Sequence, residues 1–117
     1  TPDGTCIRDF IHVSDLVNAH YAALNFLRQG GLKFTANCGY SKGYSVKQVV
    51  DVVKRIAGND FPVVFEDRRP GDIASLTANA HRLMSRLSWK PKHDNLEKIV
   101  RDALAWEAAL DNRRKSA

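Results

Sequence analysis

No apolar run in the 117 residues approaches the roughly eighteen that a membrane-spanning helix needs, and no signal-peptide pattern appears. With only two cysteines, Cys6 and Cys38, a disulfide framework is excluded and a reducing, cytoplasmic setting is the expectation. No zinc-ligand spacing occurs, nor an aromatic-interleaved basic stripe of the kind that binds single strands. There is no Gly-rich phosphate loop, no Gly-x-Ser-x-Gly elbow and no His-Glu-x-x-His. Repeats and low-complexity tracts are absent too. Metal-dependent and hydrolytic chemistries therefore have no foothold here.

What is present is ordinary for a globular chain: 44% hydrophobic and 26% charged residues, enough for one small domain. The only methionine is Met84, and the first residue is Thr1. The net charge is +5, but Arg113, Arg114 and Lys115 supply three of those charges. The rest is close to balanced, so residues 111–117 read as a basic tail and nucleic acid is not expected as a partner.

Hydrophobic spacing predicts four helices. The first runs from Val13 to Leu27, with Ser14 as N-cap and Leu16, Val17, His20, Ala23, Leu24 and Leu27 inward. The second is capped by Ser45 and buries Val46, Val49, Val50, Val53 and Ile56. Asn79 caps a short third helix through Leu87, with Leu83, Met84 and Leu87 inward. The fourth opens on an aspartate-headed capping box, Asp94 to Glu97, and turns Leu96, Ile99, Val100, Ala103, Leu104 and Leu110 inward. Short strands are expected at Phe34–Cys38 and Pro62–Glu66, with an extended piece at Ala74–Ala78. The class is α+β, with about four helices and two or three short strands.

Two arginine clusters stand out. In Ile7-Arg8-Asp9-Phe10-Ile11-His12 a charged pair interrupts an apolar run. It reads either as a structural Arg8–Asp9 ion pair at a sheet edge or as a charge facing a cleft. In Asp67-Arg68-Arg69-Pro70-Gly71-Asp72, two guanidiniums suit phosphate oxygens and a carboxylate suits a vicinal diol, although Pro-Gly also marks a plain surface turn. His12, His20, His81 and His93 are scattered and read as structural.

These residues carry a resemblance. The block from Asp3 through Thr5, Arg8-Asp9-Phe10-Ile11-His12-Val13, Asp15-Leu16 and Ala19-His20 resembles one found in UDP-glucose 4-epimerases. Asn37-Cys38-Gly39-Tyr40, Gly43-Tyr44-Ser45-Val46, Arg68-Arg69-Pro70-Gly71-Asp72, Leu87-Ser88-Trp89-Lys90-Pro91 and Trp106-Glu107 are similar to later elements of that family, in register to about Leu110. The resemblance implies that residues 1–110 are the carboxy-terminal UDP-sugar-binding domain of such an enzyme, a fragment of an extended short-chain dehydrogenase fold. It implies that Arg8 and Arg69 contact the diphosphate and Asp72 the ribose. Phe10 stands where many members carry tyrosine, and Leu76 where the sugar end of the pocket is shaped.

The implied reaction moves a hydride from the sugar's C4 to NAD and back on the other face, interconverting UDP-galactose and UDP-glucose. It needs a tyrosine–lysine group. Tyr21, Tyr40 and Tyr44 are followed four residues on by Asn25, Tyr44 and Gln48, never lysine. No catalytic residue is therefore expected in this chain, and NAD is expected on an absent amino-terminal domain. The first residue then reads as a cut rather than a processed start. Alternatives are another nucleotide-sugar epimerase or decarboxylase of the same family, or a non-catalytic binding module. A homodimer is expected, and the chain alone should expose apolar surface around Phe10–Val13 and on one helix, associating through it.

Overall fold

Two residues of backbone on each side of Ile7–Arg8 hold a small mixed sheet together. The computed structural model describes residues 1–116. In chain order the elements are β1 (Ile7–Arg8), α1 (Val13–Arg28), β2 (Tyr44–Ser45), α2 (Val46–Ala57), β3 (Ser75–Leu76), α3 (His81–Leu87) and α4 (Leu96–Ser116). The sheet order is β2-β1-β3. β1 pairs antiparallel with β2, Arg8 facing Tyr44, and parallel with β3, Arg8 facing Leu76. Four helices and a three-stranded sheet agree with the expected class. No helix among the described residues is long and apolar enough to cross a membrane.

α2 forms as its sequence dictates. The Ser45 hydroxyl accepts from the Gln48 N–H while the Gln48 side chain accepts from the Ser45 N–H, a complete capping box. Gly58 ends it at φ +64°, a left-handed conformation that costs glycine little. Other helix starts differ from expectation. α1 is capped by His12, not Ser14: the imidazole Nδ1 accepts from the Ser14 N–H at 3.0 Å. Its Nε2–H donates to Asp102 Oδ2 at 2.9 Å, which ties the start of α1 to α4. α4 is capped by Asn95, whose side chain accepts from the Lys98 N–H, in place of the expected Asp94 box. Asn79 accepts from the His81 N–H at the start of α3.

The strands expected at Phe34–Cys38 and Pro62–Glu66 do not form. Neither segment pairs with the β2-β1-β3 sheet. Ala36 and Cys38 pack on the core through their side chains instead.

That core is Ala19, Ala80, Leu83 and Trp89, with Ile11 and Leu87 against it, while Leu96 and Val100 are buried on α4. α1 faces inward with Asp15 and Ala19, not with its large apolar residues; Val17, Leu24 and Leu27 are exposed. The small Ala19 admits Trp89 and α3, and Asp15 brings its own partners. Met84 and Ala103, expected inside, are exposed as well. Around Phe10–Val13, Phe10 and Ile11 are half-buried, His12 is buried and only Val13 is open to solvent.

Asp15 is fully buried. Its carboxylate accepts from the Tyr40 hydroxyl at 2.6 Å and from the N–H groups of Lys92 (3.0 Å) and His93 (2.8 Å). Its backbone carbonyl accepts from Trp89 Nε1 at 3.0 Å. The Tyr40 oxygen in turn accepts from the His12 N–H. Burial pushes the Asp15 pKa up, but the Tyr40 hydroxyl and the two N–H groups outweigh it and hold the carboxyl below its ordinary value.

A folded pKa below the unfolded one contributes stability above about pH 4 that is lost as the pH falls through the folded value. Asp15→Ala orphans three donors and should cost about 3 kcal/mol or more in urea unfolding at pH 7. Asp15→Asn should be less stable at pH 7 than the parent and should lose less on acidification.

Candidate functional site: an arginine-lined cleft

A cleft of about 600 Å³ opens between residues 1–8, the first three turns of α2 and the segment from Val63 to Ala74. Val50, Val64 and Phe65 give its lining apolar surface, and Arg8, Lys47, Arg68, Arg69 and Asp72 give it charge.

The charged lining is built around a turn. The Asp72 N–H donates to the Arg69 carbonyl at 3.2 Å, closing residues 69–72. Pro70 and Gly71 occupy its centre, and Gly71 sits at φ +85°, the residue order and sign of a type II turn. Arg68 Nη2 braces it by donating to the Asp72 carbonyl at 2.6 Å. Asp72 thereby faces β1. Its Oδ1 lies 3.8 Å from Arg8 Nη2, and its Oδ2 accepts from Arg69 Nε at 3.2 Å with Arg69 Nη2 at the same distance. Arg8 also donates to its neighbour's carbonyl, Ile7 O, at 2.8 Å. Two guanidiniums separated by some sixty residues of sequence thus meet on one carboxylate, and Arg69 stays exposed to solvent.

Of the two readings of Arg8 and Asp9, the ion pair does not form. Asp9 points the other way and accepts from the N–H groups of Tyr40 (3.0 Å), Ser41 (2.9 Å) and Ala78 (3.2 Å). Gly39 makes this possible: a Cβ there would lie 2.6 Å from Asp9 Oδ2. The alternation of side chains along an extended chain separates the two roles, Arg8 to the cleft and Asp9 to the scaffold.

Arg8, Arg69 and Asp72 therefore come together. Leu76 is exposed and opposite Arg8 in the parallel register, while half-buried Phe10 lies beyond β1; neither lines the cleft. Lys47, Val64 and Phe65 do line it and had no motif to announce them. Asp3 sits behind Ser45 and Thr5, whose hydroxyls and the Thr5 N–H bring its pKa down to about 2, the Ser45 bond being the strongest cause.

The profile of the NAD dependent epimerase/dehydratase family matches residues 1–39. UDP-glucose 4-epimerase from Azospirillum brasilense is 54% identical over 111 residues, 95% of this chain and 32% of that protein. A crystal structure of a UDP-glucose 4-epimerase superposes with a TM-score of 0.89 at 41% identity, covering 96% of this chain and 34% of the other. Over nearly all its length the chain is similar to part of UDP-glucose 4-epimerases. It spans about a third of the length of the relatives it matches. The epimerase from Stenotrophomonas maltophila, with bound NAD and formylated UDP-arabinopyranose, superposes with a TM-score of 0.87 at 37% identity over 97% of this chain and 33% of its own.

NAD is the cofactor of this epimerase family, yet the strand–helix junctions of this chain do not fit a dinucleotide. β1 enters α1 through Asp9-Phe10-Ile11-His12, without a glycine, and His12 already takes a first-turn N–H. β2 runs directly into α2, whose first turn is closed by Ser45 and by Thr5 Oγ1 on the Lys47 N–H. A pyrophosphate needs free N–H groups at such a junction.

Asp9 carries a direct test of the scaffold. Asp9→Ala leaves three N–H groups without an acceptor and should cost about 2–3 kcal/mol in urea unfolding. Hydrogen exchange should accelerate at Tyr40, Ser41 and Ala78.

Proposed function

We propose that this chain is the carboxy-terminal, UDP-sugar-binding part of a UDP-glucose 4-epimerase. The observation that carries the reading is the convergence of Arg8 and Arg69 on Asp72 in the lining of the cleft. Guanidiniums present paired N–H donors at the spacing of phosphate oxygens, and two of them complement a diphosphate. Asp72 holds both in place before ligand arrives. An incoming diphosphate takes over the arginines, and the carboxylate then accepts from the hydroxyls of the ribose. Phe10 and Leu76 lie outside the cleft lining in this chain alone, and the reading gives them contacts to the nucleotide and the sugar only in the whole protein.

The whole protein would interconvert UDP-galactose and UDP-glucose, with NAD supplying hydride acceptance and return at C4 of the sugar. Both the NAD site and the proton-transferring tyrosine lie in the part of the relatives' length that this chain does not span. Here the residues bind and orient the nucleotide and carry no catalytic group. A second subunit is the expected protein partner, and the setting is cytoplasmic.

Calorimetric titration with UDP should give one site per chain. Arg8→Ala and Arg69→Ala should each weaken binding about ten- to a hundredfold, the loss expected when one charge-assisted contact is removed. Both substitutions leaving the affinity unchanged would contradict the site. Incubated with UDP-galactose and NAD, the purified chain should form no UDP-glucose.

A further inference from the structure

Arg8 and Arg69 converge on Asp72, yet packing does little to hold Asp72 where it is. Residues 62–71 are exposed, and among the described residues no backbone–backbone hydrogen bond involves residues 60–68. A Cβ built on Gly71 would meet nothing within 4 Å. The turn is surrounded by solvent rather than by side chains, and such a segment opens at little cost unless hydrogen bonds close it. The first backbone tie after the turn is the Ile7 N–H on the Ala74 carbonyl, at 2.8 Å.

Two bonds act on the main chain of Asp72 itself. Its N–H donates to the Arg69 carbonyl at 3.2 Å, and its own carbonyl accepts from Arg68 Nη2 at 2.6 Å. The first is at the long end for an N–H···O bond; the second is short and charge-assisted. Gly71, at φ +85° and without a Cβ, is the pivot about which Asp72 swings if these bonds open. The two adjacent arginines therefore hold different things. Arg69 grips the carboxylate through Nε and Nη2, while Arg68 grips the backbone.

We propose that Arg68 is a positioning residue for nucleotide binding. Its bond to the Asp72 carbonyl keeps the Asp72 carboxylate aimed at the ribose once the diphosphate has taken Arg8 and Arg69. At that moment the carboxylate loses both of its guanidinium partners, and the turn is held by the Arg68 brace and one long N–H bond. Arg68 itself touches no phosphate. A turn that is ordered before ligand arrives spares the binding step that ordering cost. The benefit falls on the ribose contact and not on the diphosphate. This role rests on the reading of the cleft as a nucleotide diphosphate site.

Calorimetric titration with UDP and with inorganic pyrophosphate, at about 0.15 M salt to screen exposed charge, tests it. Arg68→Ala should weaken UDP binding about five- to tenfold and alter pyrophosphate binding by less than about twofold. Arg68→Lys still donates to the carbonyl and should recover most of the loss. In an Asp72→Ala background, Arg68→Ala should cause no further loss of UDP affinity, since the group it positions is gone. Without ligand, exchange of the Asp72 N–H should accelerate in Arg68→Ala and not in Arg68→Lys, at an unchanged thermal midpoint. Equal losses for UDP and pyrophosphate would make Arg68 a phosphate ligand and overturn the proposal. So would an Arg68→Ala variant that binds UDP as the parent does. Failure of the cleft reading looks different: the parent itself would then not bind UDP, and this role would fall with it.

Discussion

A buried carboxylate organises this molecule. Asp15 lies fully buried on α1 and is satisfied by a hydroxyl from the Tyr40 loop and two N–H groups from the connector between α3 and α4. An ionised group in the interior is tolerable only when its lone pairs are filled, and here three segments far apart in sequence must be placed together to fill them. The same residue's carbonyl receives the Trp89 indole, so the polar hub and the apolar core share an anchor. His12 continues the arrangement through the Tyr40 oxygen and Asp102, reaching α4.

The cleft depends on this scaffold through Asp9. By taking the N–H groups of Tyr40, Ser41 and Ala78, Asp9 joins the loop held by Asp15 to the strand that carries Leu76. β3 is thereby fixed beside β1, and the preceding turn is delivered with Asp72 facing Arg8. Three aspartates thus divide the labour. Asp15 assembles the core, Asp9 aligns the sheet and Asp72 orients two guanidiniums at the cleft.

The elements that were legible from sequence are those governed by local rules. The capping box of Ser45 and Gln48, the period of α2 and the Pro70-Gly71 turn all depend on neighbouring residues. Residue type marked the two clusters that hold Arg8, Arg69 and Asp72, the family resemblance singled these three out, and the fold places them together. Long-range choices were not legible. Whether Asp9 pairs with Arg8 or with three distant N–H groups depends on the close approach at Gly39. The inward face of α1 was misread because the most apolar stripe is not the buried one: Asp15 and Ala19 win the interior through their partners. Phe34–Cys38 has strand-like residues but pairs with no strand of the sheet, and a strand needs a partner that its own residues do not specify. Lys47, Val64 and Phe65 reach the cleft only through tertiary placement.

The account's central claim is that the Asp72 turn and β1 form a nucleotide diphosphate site in this chain. Amide chemical shifts recorded during a UDP titration test it at residue resolution. The account predicts that the largest shifts cluster at Arg8 and from Arg69 to Leu76, with the Asp15 partners Lys92 and His93 unmoved. Shifts absent from the turn, or concentrated on a face remote from Arg8, would contradict it.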